Sequence, residues 1–484
     1  MAKITTVIDI GSNSVRMAVF QKTSRFGFSL IREIKSKVRI SEGSYEMGGM
    51  LQEIPMRSAI SVLSDFAKIA KLYKSRKILC VATSAVRDAP NRQEFIKRVW
   101  QQCGIKVKVI DGSKEAFFGA VASANLSHNR SGVMIDIGGG STECALIENG
   151  KIKGLMSLDI GTIRIKELFL DKQLDLKEAR AFIQKQIIHL PAHFVHENIF
   201  GIGGTIRALA KMISKQDSHC ITALHGYEID VRKNLDFFHK IIKSKQEKLS
   251  DLGVSEDRQD NIQSGVLILC MLLERFKSKR ITTCGVGVRE GVFLADLLRS
   301  HHHTFPNGIN PSLQYLKDKF VPPNGAKIKE ISNKLFELFK ISYKLKDSHK
   351  YLLGIAALAS RIGMFVDFYH MHHHGSYMVM QILSYGFSYR ERSIISLLVE
   401  FSEKKTPKDV DLLRYNIDPK ELPAIQILSY ILSLAKILEG TLHDKIDFEA
   451  SQEVLKIYGA KNDFLLKEKV SKLSRPKNLS LLFL

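Results

Sequence analysis

One phrase is written twice in this chain. Val7-Ile8-Asp9-Ile10-Gly11-Ser12-Asn13-Ser14 returns as Met134-Ile135-Asp136-Ile137-Gly138-Gly139-Gly140-Ser141-Thr142, with Asp9 and Asp136 separated by 127 residues. Each copy is an apolar strand that reaches a carboxylate and then runs into glycine and hydroxyls. Each is followed by a second apolar run, residues 15–20 and 144–147. The pattern predicts strand, tight turn, strand, made once per half of a duplicated unit.

The residue types say what such turns can hold. Gly138, Gly139 and Gly140 are expected to turn with positive φ and to let main-chain amides approach a ligand. Successive amides pointing one way form an anion nest. Ser12, Asn13, Ser14, Ser141 and Thr142 add side-chain donors. Asp9 and Asp136 cannot bind a phosphate directly, because two anions repel. They therefore call for a divalent cation between them and the ligand, and oxygen donors favour Mg²⁺ or Mn²⁺. Two such turns facing each other would clamp a phosphate chain and its metal.

At 484 residues the chain has room for two to four domains. Apolar content of 45% and a mean hydropathy of −0.05 describe a soluble globular protein without a membrane partner, and no uninterrupted apolar run has transmembrane length. A strand begins almost at the first residue, so no signal peptide is expected. Six cysteines stand at 80, 103, 144, 220, 270 and 284 with no C-x-x-C spacing, which predicts a reduced, cytoplasmic protein without structural zinc. The net charge is +22. Residues 306–484 carry 26 Lys and Arg against 19 Asp and Glu, so most of the excess belongs to residues 1–305. Charge spread through folded domains suits a polyanionic partner and does not require nucleic acid.

Periodicity predicts strands over 4–10, 15–21, 28–34, 77–82 and 105–110, with helices from 55, over 91–103 and from about 113. Strands over 133–137, 144–148, 151–158, 198–202 and 280–283 repeat the scheme with extra helices. This is an α/β fold of two ribonuclease-H-like lobes, residues 1–125 and 126–305, of the actin, sugar-kinase and chaperone ATPase architecture. Such a fold holds its ligand between the lobes. A Pro- and Gly-rich linker is expected over 301–325, and residues 306–484 read as an all-α domain.

Six phrases in order resemble the exopolyphosphatase / guanosine pentaphosphate phosphohydrolase (Ppx/GppA) family: DIGSNSVRMAVF at 9–20, VATSAVRDAPN at 81–91, IDGSKEAFFGAVA at 110–122, IDIGGGSTE at 135–143, GIGGTIRALAK at 201–211 and GVREG at 287–291. The resemblance implies metal-dependent hydrolysis of a terminal phosphoryl group, from inorganic polyphosphate or from guanosine pentaphosphate. By matching position it makes Glu115 the general base and Glu143 a metal- and water-positioning carboxylate beside Asp136, with Asp9 a further metal-facing carboxylate. Arg16, Arg87 and Arg289 become phosphate or lobe contacts, since a guanidinium forks onto two phosphoryl oxygens. Gly203, Gly204 and Thr205 form a third anion-compatible turn at a helix start, placed near a nucleoside in nucleotide-binding relatives. Glu115 has a plainer reading as a first-turn helix residue. Two other readings of the cleft remain open: an ATP-dependent kinase or ATPase, and a non-catalytic regulator that binds guanosine tetra- or pentaphosphate.

The tail resembles HD-type phosphohydrolase domains in degenerate form. Ser360-Arg361 precedes Ile362-Gly363 where that type carries an adjacent His-Asp metal pair. His301–His303 and His372–His374 are expected in solvated loops. The apolar end, residues 479–484, is expected to dock on the core or on a second subunit, which would make a homodimer.

Overall fold

The computed structural model describes residues 3–44, 47–172, 176–216, 223–440, 447–451, 454–459, 461–476 and 479–484. It divides into two compact units, Met1–Pro311 and Ser312–Leu484.

The first unit opens with strands β1 (Ile4–Ile10), β2 (Val15–Lys22) and β3 (Phe28–Ser36). Helix α1 (Glu53–Leu72), strand β4 (Lys77–Ala82), the single turn α2 (Ser84–Arg87), helix α3 (Arg92–Cys103), strand β5 (Val107–Val109) and helix α4 (Gly112–Leu126) follow. The sheet order is β3-β2-β1-β4-β5, with β1–β2 and β2–β3 antiparallel and β1–β4 and β4–β5 parallel. Buried residues of α1, among them Met56, Ile60 and Leu63, pack in one core with Ile8, Ile10 and Met17, as their one-face spacing requires. Gly104 ends α3 at φ 65°, the left-handed conformation that closes a helix.

The scheme then repeats as β6 (Gly132–Ile137), β7 (Thr142–Glu148), β8 (Lys151–Leu158), α5 (Thr162–Ile165), α6 (Leu176–Ile187), β9 (Asn198–Ile202), α7 (Gly203–Gln216), β10 (Glu228–Asp230), α8 (Val231–Lys243), α9 (Ile262–Phe276), β11 (Arg280–Thr283) and α10 (Val288–Leu297). Its sheet order is β10-β11-β9-β6-β7-β8. The strands β8-β7-β6-β9-β11 thus repeat the first sheet's order and directions. The stretch Thr162–Leu170 is one α-turn followed by a π-helical turn, Lys166–Leu170.

Two helices tie the lobes together. Helix α4 packs on β7 and β8 of the second sheet, whereas α10, from the second half, packs on β1 and β2 of the first. They cross at Gly291, where a Cβ would stand 1.9 Å from the Phe118 carbonyl oxygen. Phe293 of α10 stacks on Phe20 of β2 at 4.3 Å between ring centres.

The second unit holds α11 (Pro311–Lys319, which begins at the boundary), α12 (Gly325–Phe339), α13 (Asp347–Ala359), α14 (Met371–Ile382), α15 (Tyr389–Glu400), α16 (Asp409–Arg414), α17 (Leu422–Glu439) and α18 (Phe464–Ser471). It is not all-α. Strands β12 (Asp447–Ala450), β13 (Val454–Tyr458) and β14 (Ser480–Phe483) form a small sheet. Its strands are four or five residues long, too short to show alternation against the surrounding helical pattern. The apolar end of the chain is the third of them, parallel to β13. The stretch Pro419–Glu439 is long and apolar enough to cross a membrane by length and composition, but Lys420, Glu421 and Lys436 interrupt its apolar run and 67% of its window is buried. It supplies Leu428, Ile431, Leu432 and Ala435 to the core.

Other expectations need correcting. The linker over 301–325 contains α11, and its start is held to the first unit: Asn125 donates to the His303 carbonyl at 2.9 Å and accepts from the Phe305 amide at 3.0 Å. His372–His374 lie in α14 rather than a loop, and His373 Nδ1 is 3.3 Å from Glu400 Oε1. His301 Nε2 is 3.2 Å from Arg25 Nη2. Ser360 donates to the Ala357 carbonyl and Arg361 pairs with Glu439 at 2.8 Å, so neither stands as a metal ligand. Cys80, Cys103, Cys144, Cys270 and Cys284 are unbridged; Cys220 lies outside the described residues.

Candidate active site

Both copies of the repeated phrase close in the same way. The Gly11 amide donates to the Ser14 carbonyl at 3.2 Å, and the Gly138 amide donates to the Ser141 carbonyl at 3.0 Å. Across each hairpin Asp9 is in register with Arg16, and Asp136 with Glu143. The two turns meet: a Cβ on Gly139 would come 2.9 Å from Ser12 Cβ. The glycines of the second turn do not adopt positive φ, contrary to expectation. Gly138 and Gly139 are needed for closeness instead, since a Cβ on Gly138 would fall 2.9 Å from the Ser141 carbonyl oxygen and one on Gly139 3.1 Å from Ile163 Cδ1, and Gly161 must be as small, since its Cβ would fall 2.4 Å from the Gly139 carbonyl and 2.5 Å from the Gly140 nitrogen. Gly203 is the one that does turn left-handed, at φ +93°, where a Cβ would sit 3.0 Å from Asp136 Oδ1.

One cavity lies between the turns. It is lined by Asp9, Ser12, Asn13, Ser14, Arg16, Glu115, Asp136, Gly138, Gly139, Ser141, Glu143, Gly203, Gly204, Thr205 and Arg289. Three expected residues do not line it. Gly140 is buried under Gly161. Thr142 spends its hydroxyl on the Ile160 carbonyl at 2.6 Å, so it fastens the hairpin instead of meeting a ligand. Arg87 stands behind Glu115, its Nη1 3.1 Å from Glu115 Oε2.

Glu115 reaches the cavity from the first turn of α4. Asp111 caps that helix by accepting from the Lys114 amide at 2.7 Å, which leaves Glu115 free of the capping role. Burial first, then the charge of Glu143, pushes the Glu115 carboxyl well above the ordinary carboxylate range, against the pull of Arg87. Glu143 is pushed up to about 8 by burial and by Asp136, although Ser141 and Ser157 donate to it; the Ser157 bond is 2.9 Å. Burial raises Asp136 to about 6 in spite of Arg207 and Arg16, and raises Asp9 in spite of Arg16 and Arg289.

Facing these carboxylates is a set of cations, three of them not foreseen: Lys35 from β3, Arg207 from α7 and Arg258 from the segment before α9. Arg207 is buried beside Arg16 and Arg289, and burial followed by those neighbours draws its pKa down to about 10; it stays charged at neutral pH. Its Nε donates to the Gly203 carbonyl at 3.1 Å, one helical turn back, a spacing visible in the phrase GIGGTIRALAK. Lys35 and Arg258 carry no comparable signal. Arg258 lies against the third turn, where a Cβ on Gly204 would fall 2.3 Å from its Nη1. Arg289 Nη1 donates to Glu33 Oε1 at 2.6 Å, joining α10 to β3, and Glu290 accepts from the Gly287 amide at 2.8 Å.

Asp9, Asp136 and Glu143 share the cavity, but among the described residues no group of three or more His, Cys, Asp or Glu side chains is gathered to hold a metal by itself.

The model of the Ppx/GppA phosphatase family matches residues 18–300, and that of Ppx/GppA phosphatase domain III matches residues 321–477. A guanosine-5′-triphosphate,3′-diphosphate pyrophosphatase from Photobacterium profundum is 25% identical over 420 residues, covering 84% of this chain and 82% of that protein. The crystal structure of the Aquifex aeolicus Ppx/GppA family member is similar with a TM-score of 0.53 and 26% identity, over 62% of this chain and all of that one. That of an exopolyphosphatase from Cytophaga hutchinsonii has a TM-score of 0.55 and 24% identity, over 61% of this chain and 98% of that one.

Proposed function

Because the chain belongs to the Ppx/GppA phosphatase family, we propose that it hydrolyses terminal phosphoryl groups from inorganic polyphosphate and the 5′-terminal phosphate of guanosine pentaphosphate, in the cytoplasm. The observation that carries this reading is the convergence of both glycine–hydroxyl turns and Glu115 on one cavity.

Ser12, Ser14 and Ser141 together with the turn amides bind the terminal phosphoryl oxygens. Arg16, Arg207 and Arg289 hold the charge of the chain behind it, as guanidinium groups do for phosphates. Glu115 accepts the proton of the attacking water, and Arg87 holds its carboxylate in place. A raised pKa makes a carboxylate a stronger base near neutral pH. The leaving group is the shortened phosphate chain, displaced in line.

Asp9, Asp136 and Glu143 offer oxygen donors only, and their mutual repulsion in a buried site favours a cation between them. That donor set fits Mg²⁺ or Mn²⁺, which bind through one or two carboxylates and fill the remaining positions with water and phosphate oxygens. Such an ion would neutralise the terminal phosphoryl charge. The guanidinium of Arg258 over Gly204 favours phosphate at the third turn, where an open slot would have suited a base.

The test is phosphate release from polyphosphate, guanosine pentaphosphate and ATP, with Mg²⁺ and with a chelator. Release from the first two, abolished by chelation, is the expected result. Phosphoryl transfer from ATP to an acceptor, with none of that release, would replace the reading with a kinase. Binding without turnover would replace it with a regulator.

A further inference from the structure

The first unit has a second charged cavity, at the opposite end of its first sheet. It is lined by Lys3, Lys22, Arg25, Arg76, Lys77 and Arg299 with His301, over an apolar floor that includes Phe26 and Phe293. Topology gathers these cations. β1 runs away from this end toward Asp9, β2 returns antiparallel and finishes here at Lys22, and β4, parallel to β1, starts here at Lys77. The Lys22 amide donates to the Lys3 carbonyl at 3.0 Å and the Arg76 amide to the Ile4 carbonyl at 3.0 Å, so three chain segments are fixed side by side. β1 is seven residues long, which puts roughly 20 Å between this cavity and the cleft.

Among the described residues Asp296 is the only carboxylate in the lining. It is bound by Lys77 at 2.8 Å, with Arg299 at 3.8 Å. The remaining lysines and arginines outnumber it. Lys22, partly buried, feels Lys3, Lys77 and Arg25, and its pKa falls below the usual lysine value, first through burial and then through these neighbours. Like charges held this close cost stability unless an anion joins them.

We propose that this cavity is a binding site for a chain of linked phosphates, separate from the cleft. With Lys77 and Arg299 turned to Asp296, the cations Lys3, Lys22, Arg25 and Arg76 around one concavity match a compact, multiply charged anion. A nucleic acid, with one charge per nucleotide, is better served by an extended basic groove with successive stacking platforms. The phosphates could belong to an inorganic chain or to a nucleotide. Phe26, with Arg25 Cζ 5.1 Å from its ring centre, is the aromatic face a base would use.

The test is calorimetric titration with tripolyphosphate of the full chain carrying Glu115→Gln, which does not consume the ligand. Two saturable events are expected. Adding Lys22→Ala, Arg25→Ala and Arg76→Ala should remove one event and leave the other within twofold. The same three changes with Glu115 intact should leave turnover within twofold, which shows the fold is kept; should that protein not fold, Arg25→Gln with Arg76→Gln should weaken the same event at least threefold. If the cleft reading fails instead, one event remains and the triple change abolishes it. One event that the triple change does not touch overturns the proposal, as does a short single-stranded RNA that binds here without competition from tripolyphosphate. A nucleoside triphosphate that binds tighter than tripolyphosphate, with the gain lost in Phe26→Ala, assigns the site to a nucleotide; equal affinity assigns it to an inorganic chain.

Discussion

Arg87 Nη1 lies 3.1 Å from Glu115 Oε2. The contact joins the turn after β4 to the first turn of α4, and it opposes the burial that would neutralise Glu115. Removing the guanidinium leaves a buried carboxyl facing the repulsive charges of Glu143, Asp9 and Asp136 without its nearest cation. Arg87→Ala is therefore expected to lower kcat by about 10²-fold or more, the scale of a general-base contribution. Lysine should restore little, because it lacks the fixed planar fork. Steady-state phosphate release by the two variants checks this.

Arg207 is placed to act on binding more than on chemistry. It is buried beside Arg16 and Arg289 and faces the carboxylates across the cavity. Arg207→Ala should raise KM for the phosphate substrate about tenfold or more, with a smaller effect on kcat. The scale follows from one charge-assisted hydrogen bond worth ~1.5–3 kcal/mol. A KM and kcat measurement in the same buffer decides it.

The crossing of α4 and α10 carries a stability prediction. A methyl on Gly291 would overlap the Phe118 carbonyl at 1.9 Å, a main-chain atom that cannot swing aside. Gly291→Ala is expected to destabilise the first unit by ~1–3 kcal/mol, as overpacking does, and to loosen lobe contacts made through Phe293 and Phe20. Urea unfolding of the full chain measures it.

The second unit contains a pH-dependent element. Glu400 is buried, which raises its carboxyl, but hydrogen bonds from Tyr415 and Arg414 and the charge of Arg414 outweigh burial and hold it below its ordinary value. A carboxylate with a depressed folded pKa gives its full stabilisation above its unfolded pKa of about 4.3 and loses it as pH falls through the lower folded value. Wild type should exceed Glu400→Gln in stability by ~1–3 kcal/mol at pH 7. The gap should narrow below about pH 4, as followed by urea unfolding across that range.

The repeated phrase made the two hairpins, their facing carboxylates and the duplicated strand order legible, because strand periodicity and glycine–hydroxyl turns are local signals. Glu115 could be placed in the cleft only through the family phrases around it; its local signal was that of an ordinary first-turn helix residue. Lys35 and Arg258 were invisible, since 223 residues separate them in the chain and only tertiary packing brings both to one cavity. Gly138–Gly140 were read for backbone freedom, whereas the packing of the Ser141 carbonyl on Gly138 and of Ser12 on Gly139 makes size the deciding property there. The sheet of β12, β13 and β14 escaped notice because one of its pairings, β13 with β14, joins residues more than 20 apart.

The most direct test of the central claim is phosphate release from polyphosphate by Glu115→Gln, measured beside the binding of the same substrate. Binding kept within a few-fold with turnover reduced by ~10²–10⁴ is the predicted outcome. Turnover that persists unchanged in Glu115→Gln, and equally in Asp136→Asn, would contradict the assignment of this cavity as the catalytic site.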